Sequence, residues 1–404
     1  MHHFFIFSII AVLFPGLFQA AVVSAGEFED FRKEANQYQE DVKAEFDQYK
    51  KELEDGFLAY KNAYEEEFNR YRKSISQHWG EFVDSDKKRW VSYSESNNVR
   101  RIIDFESGEV SIDVLDGDKL SERALDALFK TQIHALLNVS EKEAFDSDQV
   151  ASRVEQRMLK ASRLMKTADL TDARLFDFKV PEFKIRYKAG FIKTLSDDVV
   201  SASKRKTQGQ NKSIVNIRFK IPDARQKKAQ RFVEFVLKSA DKEQIPVPLV
   251  FAIMETESSF NPMARSHVPA FGLMQVVPRS AGKDASKYLF GKPKILSPSF
   301  LYKSDNNITI GSAYLHILYY RYLKRIENPV SRLYCAIAAY NTGTGNVARA
   351  IVGKSNVSLA AKKINQMTPK AVYNMLLKQL PYEETRRYLK KVALKMADYQ
   401  HQGV

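Results

Sequence analysis

Between residues 34 and 77 the apolar positions return every eleven residues. Ala35, Phe46, Phe57 and Phe68 align, as do Tyr38, Tyr49, Tyr60 and Tyr71, and Val42, Leu53, Tyr64 and Ile75. Spacings of 3, 4 and 4 keep one apolar stripe on a helix averaging about 3.67 residues per turn. Trp79 and Phe82 extend two of the columns, no proline interrupts 26–90, and Lys and Glu fill the other faces. The pattern predicts one long helix over 26–90, whose four repeats alone make a rod of about 66 Å. A stripe that long does not stay wet. It packs on another chain or folds back on its own, so this segment reads as a spacer or assembly device without chemistry.

Beyond it the period shortens to two. Residues 99–105 and 109–115 alternate and are β-rich, and Ser107-Gly108 between them predicts a hairpin. Helical patterns follow at 121–138 and 148–165, then strand-like runs at 176–187 and 213–221. The basic run 204–212 reads as a solvated hairpin tip rather than a nucleic-acid or cell-wall contact. Residues 91–221 thus form a mixed α/β domain.

Helical periodicity resumes at 224–240 and again at 249–258, where Asn261-Pro262 stops it. In the second helix Val250, Ile253, Met254 and Glu257 fall at i, i+3, i+4 and i+7, which puts Glu257 in the apolar stripe. Burial disfavours a charged carboxyl, so Glu257 should hold a proton near neutrality, as a general acid must. Glu255 is turned about 200° away, toward solvent or another surface, and is a poor partner for it. Taken alone, the helix is equally consistent with a paired structural carboxylate.

The amino terminus has its own logic. Residues 4–14 are apolar apart from Ser8, Pro15-Gly16 breaks the run, and Phe18-Gln19-Ala20 and Val23-Ser24-Ala25 offer small-residue exits. Residues 1–25 therefore read as a secretory signal peptide, although no Lys or Arg precedes the apolar stretch. An uncleaved anchor is the alternative. No cysteine stands near the exits to carry a lipid.

With 404 residues, 44% of them hydrophobic, the chain can bury a sizeable core. A single cysteine, Cys335, excludes a disulfide framework or thiolate zinc cluster and reads as a buried core thiol. The net charge of +14 is unevenly spread: 26–90 carries 12 basic and 17 acidic residues, whereas 221–404 carries 28 basic and 12 acidic. The C-terminal half is the one that meets an anionic partner. No nucleotide-binding glycine loop or histidine pair at metal spacing occurs, so neither cofactor nor metal is expected. His267 stands alone in a loop and reads as a surface residue.

Three short stretches change the weight of Glu257. The run Glu257-Ser258-Ser259-Phe260-Asn261-Pro262-Met263-Ala264-Arg265-Ser266, then Gly272-Leu273-Met274-Gln275, then Ala339-Tyr340-Asn341-Thr342-Gly343, closely resembles the soluble lytic transglycosylases, which have a goose-type lysozyme-like fold. Met254-Glu255-Thr256-Glu257-Ser258, Val276-Val277-Pro278-Arg279-Ser280-Ala281-Gly282, Asn307-Ile308-Thr309-Ile310-Gly311-Ser312-Ala313-Tyr314-Leu315 and Arg387-Tyr388-Leu389-Lys390-Lys391-Val392 are similar to the membrane-bound lytic murein transglycosylase C branch. Trp90-Val91-Ser92-Tyr93 and Ile103-Asp104-Phe105-Glu106-Ser107-Gly108 look more loosely like that branch's N-terminal domain. The long aromatic helix and the missing lipid-bearing cysteine depart from it.

The resemblance implies an α+β, mainly α chain, with a lysozyme-like helical catalytic domain at 222–404 after the mixed domain and long helix. It makes Glu257 the single acid/base and places Ser266, Met274, Gln275, Tyr340, Asn341 and Tyr388 along the sugar subsites. Ser258 caps or orients backbone, and Gly272 permits the turn that presents Met274 and Gln275. The substrate implied is the glycan strand of peptidoglycan, cut to 1,6-anhydro-muramoyl ends, in the periplasm with peripheral association to an outer membrane. The 26–90 helix is expected to self-associate or hold a protein partner. The rivals are a lysozyme-type hydrolase, a non-catalytic wall-binding scaffold and, on charge alone, a nucleic-acid binder, which export disfavours.

Overall fold

A computed structural model describes residues 25–175, 185–188, 191–194, 201–206, 212–220, 228–267 and 269–401. The signal-peptide reading of 1–25 lies almost wholly outside them, as does most of the 176–187 run. The chain divides into two compact units, 1–54 and 55–404.

The eleven-residue pattern forms the helix Ala25–Trp79. It ends there rather than at 90, because Gly80 takes a left-handed φ of 76° and its N–H closes on the Ser76 carbonyl at 2.8 Å. Phe82, beyond the helix, still serves the stripe: its ring meets Phe68 and Tyr71 edge-on. In the second unit the columns are core. Phe57, Tyr60, Tyr64, Ile75 and Trp79 are buried, with Tyr60 and Tyr64 edge-on to Phe271. Side chains of this size contribute about 1.5–3 kcal/mol each when buried. In the first unit Tyr38, Val42 and Phe46 of the same columns are 67%, 46% and 62% exposed, whereas Leu53 near its end is buried.

The mixed domain is a five-stranded antiparallel sheet in the order 89–93, 99–104, 109–115, 213–220, 201–206. The expected hairpin is present. Gly108 turns at φ 72°, and the Asp104 carboxylate accepts the N–H groups of Glu106 and Ser107. One sheet face carries Val110, Ile112 and Val114 opposite Phe219, Ile217 and Val215. The other holds Arg100 opposite Asp113, paired at 2.5 Å beneath Trp79, whose ring lies 4.6 Å from the guanidinium. Lys204, Arg205 and Lys206 stand in the edge strand Ser201–Lys206, not in a loop, and 207–211 lie outside the described residues.

The helices Glu122–Asn138 and Gln149–Ala161 match the periodicity, capped by Ser121 and Asp148. Between them Glu141–Ser147 was not expected, although its Ser140–Glu143 capping box is written in the sequence. The last of these helices stops short of 165, since Met165–Lys166 pairs in parallel with Ile295–Leu296 of the C-terminal part. That part is helical. Residues 228–230 are helical ahead of Val233–Glu243, while 224–227 lie outside the described residues; Val247–Ser258, Ser304–His316, Pro329–Thr342 and the long terminal Glu383–His401 follow, with shorter helices between. The class is α+β and mainly α. Cys335 is fully buried, and burial pushes its thiol up to about 12.

Candidate active site

Pro248 in the first turn starts Val247–Ser258, and left-handed Ser259 and Phe260 end it. Val250, Ile253 and Met254 are fully buried, and Glu257 is 6% exposed in the same stripe. The Ser258 hydroxyl donates to the Met254 carbonyl at 2.9 Å and the Leu273 carbonyl at 2.8 Å. Ser258 therefore fastens the helix end to the following turn, the orienting role read for it.

That turn depends on Gly272. Its φ is +74°, and a Cβ there would strike the Asn307 amide and the Leu301 carbonyl. The Asn307 side chain explains the crowding: it accepts from the Met274 N–H at 2.8 Å and donates to the carbonyls of Phe271 and Leu301 at 2.8 and 2.6 Å. Asn307 was within a quoted stretch but was given no role. Two of its three bonds hold the 271–275 backbone, and the third ties that turn to Leu301.

The expected subsite residues fall into two groups. Tyr340 donates its hydroxyl to the Met274 carbonyl at 2.9 Å, and Tyr340 and Tyr388 both lie beside Glu257. The Tyr388 hydroxyl faces that carboxyl without closing a well-formed hydrogen bond on it. Burial first, then the neighbouring Glu257, raises both tyrosines well above the usual phenol range, so both stay neutral. Gln275, at φ 49°, donates to the Gly272 carbonyl at 3.0 Å, and its buried Oε1 has no partner. Such an orphaned acceptor suits a ligand N–H or hydroxyl.

In the second group only Met274 departs from its expected role, while Asn341 and Ser266 are half-buried with contacts of their own. Met274 is fully buried, and Gly311 lacks a Cβ that would strike its sulfur. It therefore contributes its backbone carbonyl, while its side chain is core rather than subsite lining. Asn341 accepts from the Thr385 hydroxyl at 2.6 Å, tying Pro329–Thr342 to the terminal helix. Ser266 is half-buried, its N–H on the Ala270 carbonyl at 3.2 Å. His267 is exposed and lies edge-on to Phe68.

Glu255 is not solvent-facing. It is 7% exposed, with Lys395 at 2.5 Å and the Tyr399 hydroxyl at 2.9 Å on its carboxylate.

The segment 84–89, between the long helix and the sheet, reaches the site. Lys87 Nζ lies 3.5 Å from Glu257 Oε2 and 3.9 Å from Glu384 Oε1. Lys88 donates to the Glu255 carbonyl at 3.0 Å and the Ser259 hydroxyl at 2.8 Å, a cation on a helix C-terminus. Arg265 joins Asp84 and Asp148, the latter bidentate at 3.0 Å, behind the segment. Nothing in the run Asp84-Ser85-Asp86-Lys87-Lys88-Arg89 separates these lysines from any solvated charge cluster. Their partners lie some 170 residues away, so only the fold reveals them.

Burial raises the Glu257 carboxyl above its ordinary value, while Lys87 first, then Tyr388 and Lys88, pull it partway back. The result is one hidden carboxyl that takes up a proton readily, among neutral hydroxyls and one unpaired amide oxygen. Among the described residues no cluster of side chains suited to a metal ion occurs.

Residues 234–365 match the transglycosylase SLT domain family, and 57–160 match the N-terminal domain of membrane-bound lytic murein transglycosylase C. Similar curated proteins include membrane-bound lytic murein transglycosylase C of Salmonella arizonae, 46% identical over 43% of this chain and 47% of that protein. The protein of the same name from Klebsiella pneumoniae is 45% identical over 44% of this chain and 49% of its own length. The chain thus matches about half the length of these relatives. Among solved structures, the 70 kDa soluble lytic transglycosylase of Escherichia coli is 27% identical over 42% of this chain and 24% of that one, at TM-score 0.32. The resemblance carried by the Glu257, Gly272 and Ala339 stretches lies inside or beside the first matched segment, and that of Trp90 and Ile103 inside the second.

Proposed function

We propose that this chain, carrying both matched domains, is a peptidoglycan lytic transglycosylase that cuts the β-1,4 bond between N-acetylmuramic acid and N-acetylglucosamine without water. The observation that carries the reading is the unequal treatment of the two carboxyls on one helix. Glu257 is buried and proton-attracting, whereas Glu255 is bound by Lys395. A single carboxyl serves both proton transfers. Protonated Glu257 gives its proton to the glycosidic oxygen as the bond to C1 breaks, and the substrate's N-acetyl oxygen bonds C1 in its place. The muramoyl C6 oxygen then attacks C1 and displaces that oxygen, while its proton returns to Glu257. A two-carboxylate glycosidase would need a second ionised group across the bond. Gln275 Oε1 and the Tyr388 hydroxyl, two of the buried polar atoms without a hydrogen-bond partner among the described residues, are suited to meet the sugar.

The basic C-terminal half suits a glycan bearing lactyl and peptide carboxylates. Export to the periplasm, with peripheral outer-membrane association, rests on the amino-terminal segment. No helix among the described residues is long and apolar enough to cross a membrane. Exposed Tyr38, Val42 and Phe46 support self-association or a protein partner on the first unit. Mass spectrometry of products from purified peptidoglycan tests the activity. Anhydro-muramoyl ends are expected; reducing ends make the chain a lysozyme-type hydrolase, and no product makes it a scaffold.

A further inference from the structure

Lys87 stands where a buried carboxyl meets open solvent. Its side chain is 37% exposed, against 7% for Glu257 on one side and 73% for Glu384 on the other. The backbone that carries it is fixed. Asp86 accepts the N–H groups of Lys88 and Arg89 at 2.7 Å, Lys88 is bound to the helix end, and Arg265 donates its N–H to the Asp86 carbonyl at 3.4 Å. The ammonium itself is held loosely. Its 3.5 Å contact with Glu257 contrasts with the 2.5 Å contact of Lys395 with Glu255. A flexible four-carbon stem on a fixed backbone, pointing a lightly held cation at the proposed acid, is suited to exchange partners.

We propose that Lys87 is a positioning residue that holds Glu257 ionised in the empty cleft, and that a carboxylate of the incoming glycan draws it away. The inference rests on the glycan-cleaving reading above. A paired carboxylate cannot donate a proton. Once the substrate's carboxylate takes the ammonium, burial outweighs the smaller pull of Tyr388 and Lys88, and Glu257 takes a proton from solvent and becomes the acid. Glu384, already at 3.9 Å, marks the outward position that the substrate group would share or replace. A neutral glycan leaves Lys87 on Glu257 and the acid unarmed. The lysine thus makes the acid respond to substrate charge.

The groups facing Glu257 limit what else could titrate in its place. Lys87 and Lys88 come from the 84–89 segment, Tyr340 from Pro329–Thr342 and Tyr388 from Glu383–His401. Both tyrosines are neutral throughout the working range, and Lys88 is engaged with Ser259 and the Glu255 carbonyl. On its own helix Glu255 is matched by Lys395.

The test is a carbon-13 carboxyl titration of the full chain, with the Glu257 signal assigned by its loss in Glu257→Gln. Lys87→Met should raise that titration by about one pH unit, the usual size for losing a nearby opposite charge. Lys87→Arg should restore it, and Lys87→Gln gives a second neutral variant should the Met variant fold poorly. Saturating a muramic-acid disaccharide with a free carboxylate should raise the wild-type titration by a similar amount. The same disaccharide with that carboxylate amidated should not, and neither ligand should shift Lys87→Met further. An unchanged titration in both neutral variants, or equal effects of the two disaccharides, overturns the proposal. These readouts need no turnover, so a chain that releases no product would sink the activity while leaving the Lys87 exchange to stand or fall separately.

Discussion

Two faces of the Val247–Ser258 helix bury a glutamate to almost the same depth and use it in opposite ways. On the face toward the terminal helix, Glu255 meets Lys395 at 2.5 Å and the Tyr399 hydroxyl at 2.9 Å, and Tyr399 stacks on Phe251 at 5.4 Å. On the cleft face, Glu257 meets a half-exposed lysine at 3.5 Å and two tyrosines too reluctant to ionise to compete for its proton. Burial alone therefore does not make an acid. What differs is whether the opposing charge is locked in packing or free to move, and that follows from which element supplies it. A terminal helix pins Lys395; an irregular segment lends Lys87.

The sharpest break in the comparison is to remove the proton from one face and then the other. Glu257→Gln keeps size and hydrogen bonding but has nothing to donate. Acid/base assistance is worth about 10²–10⁴ in rate, and one group serving both steps puts the loss at the upper end. Glu255→Gln should keep most of the turnover, with its loss showing in stability instead. Rates on purified peptidoglycan, with circular dichroism to confirm folding, decide it. Equal inactivity in both variants would restore a two-carboxylate hydrolase.

The locked face is then open to challenge through its cation. Lys395→Met leaves Glu255 buried without its charge partner, which costs about 1–3 kcal/mol. The lower part of the range for buried ions applies because Lys395 is itself a quarter exposed. Urea denaturation should show a lower midpoint at unchanged slope. An unmoved midpoint means the pair is not a lock, and the contrast between the faces loses its basis.

How much of this was legible beforehand differs between the two faces. The i, i+3, i+4, i+7 placement of Glu257 was enough to put it in a buried stripe, because helical geometry is local. The surroundings of Glu255 were not, since Lys395 and Tyr399 lie 140 and 144 residues away. The same holds for the long helix. Phe46 and Phe57 occupy one column of the repeat, yet the first is exposed and the second is core. Period reports which face is apolar and says nothing of what covers it. Met274 fails for a related reason: the Gly311 that makes room for its sulfur lies on Ser304–His316, far along the chain from the turn that holds Met274. The stop at Trp79 was available locally in Gly80, but Trp79 and Phe82 continue two columns of the repeat across it, and the period outweighed one glycine.

A smaller effect probes the scaffold of the cleft face. Tyr340→Phe keeps the ring beside Glu257 and removes the donor to the Met274 carbonyl. Loss of one such bond costs about 0.5–1.5 kcal/mol. The cost should appear mainly as a higher KM, because the turn that presents Gln275 loosens while the acid stays in place. A fall in kcat with KM unchanged would instead give the Tyr340 hydroxyl a part in the chemistry.

The finest test uses stability against pH, where the two faces should carry opposite signs. The folded state raises the Glu257 carboxyl above its ordinary value through burial, so between the two values the folded chain binds the extra proton. Its stabilising contribution is complete below the unfolded value of 4.5 and is lost as pH rises through the raised one. As pH rises through the raised value, the wild type takes on the penalty of an ionised carboxylate in an apolar stripe. Glu257→Gln escapes that penalty, so its Tm should exceed the wild type's at pH 7. The advantage should shrink on acidification and vanish below about pH 4.5. Glu255→Gln, which surrenders the short contact with Lys395, should instead melt lower than wild type at pH 7. If Glu257→Gln also melts lower at pH 7, Lys87 outweighs burial in the empty cleft. Glu257 would then be a second locked carboxylate rather than an acid in waiting.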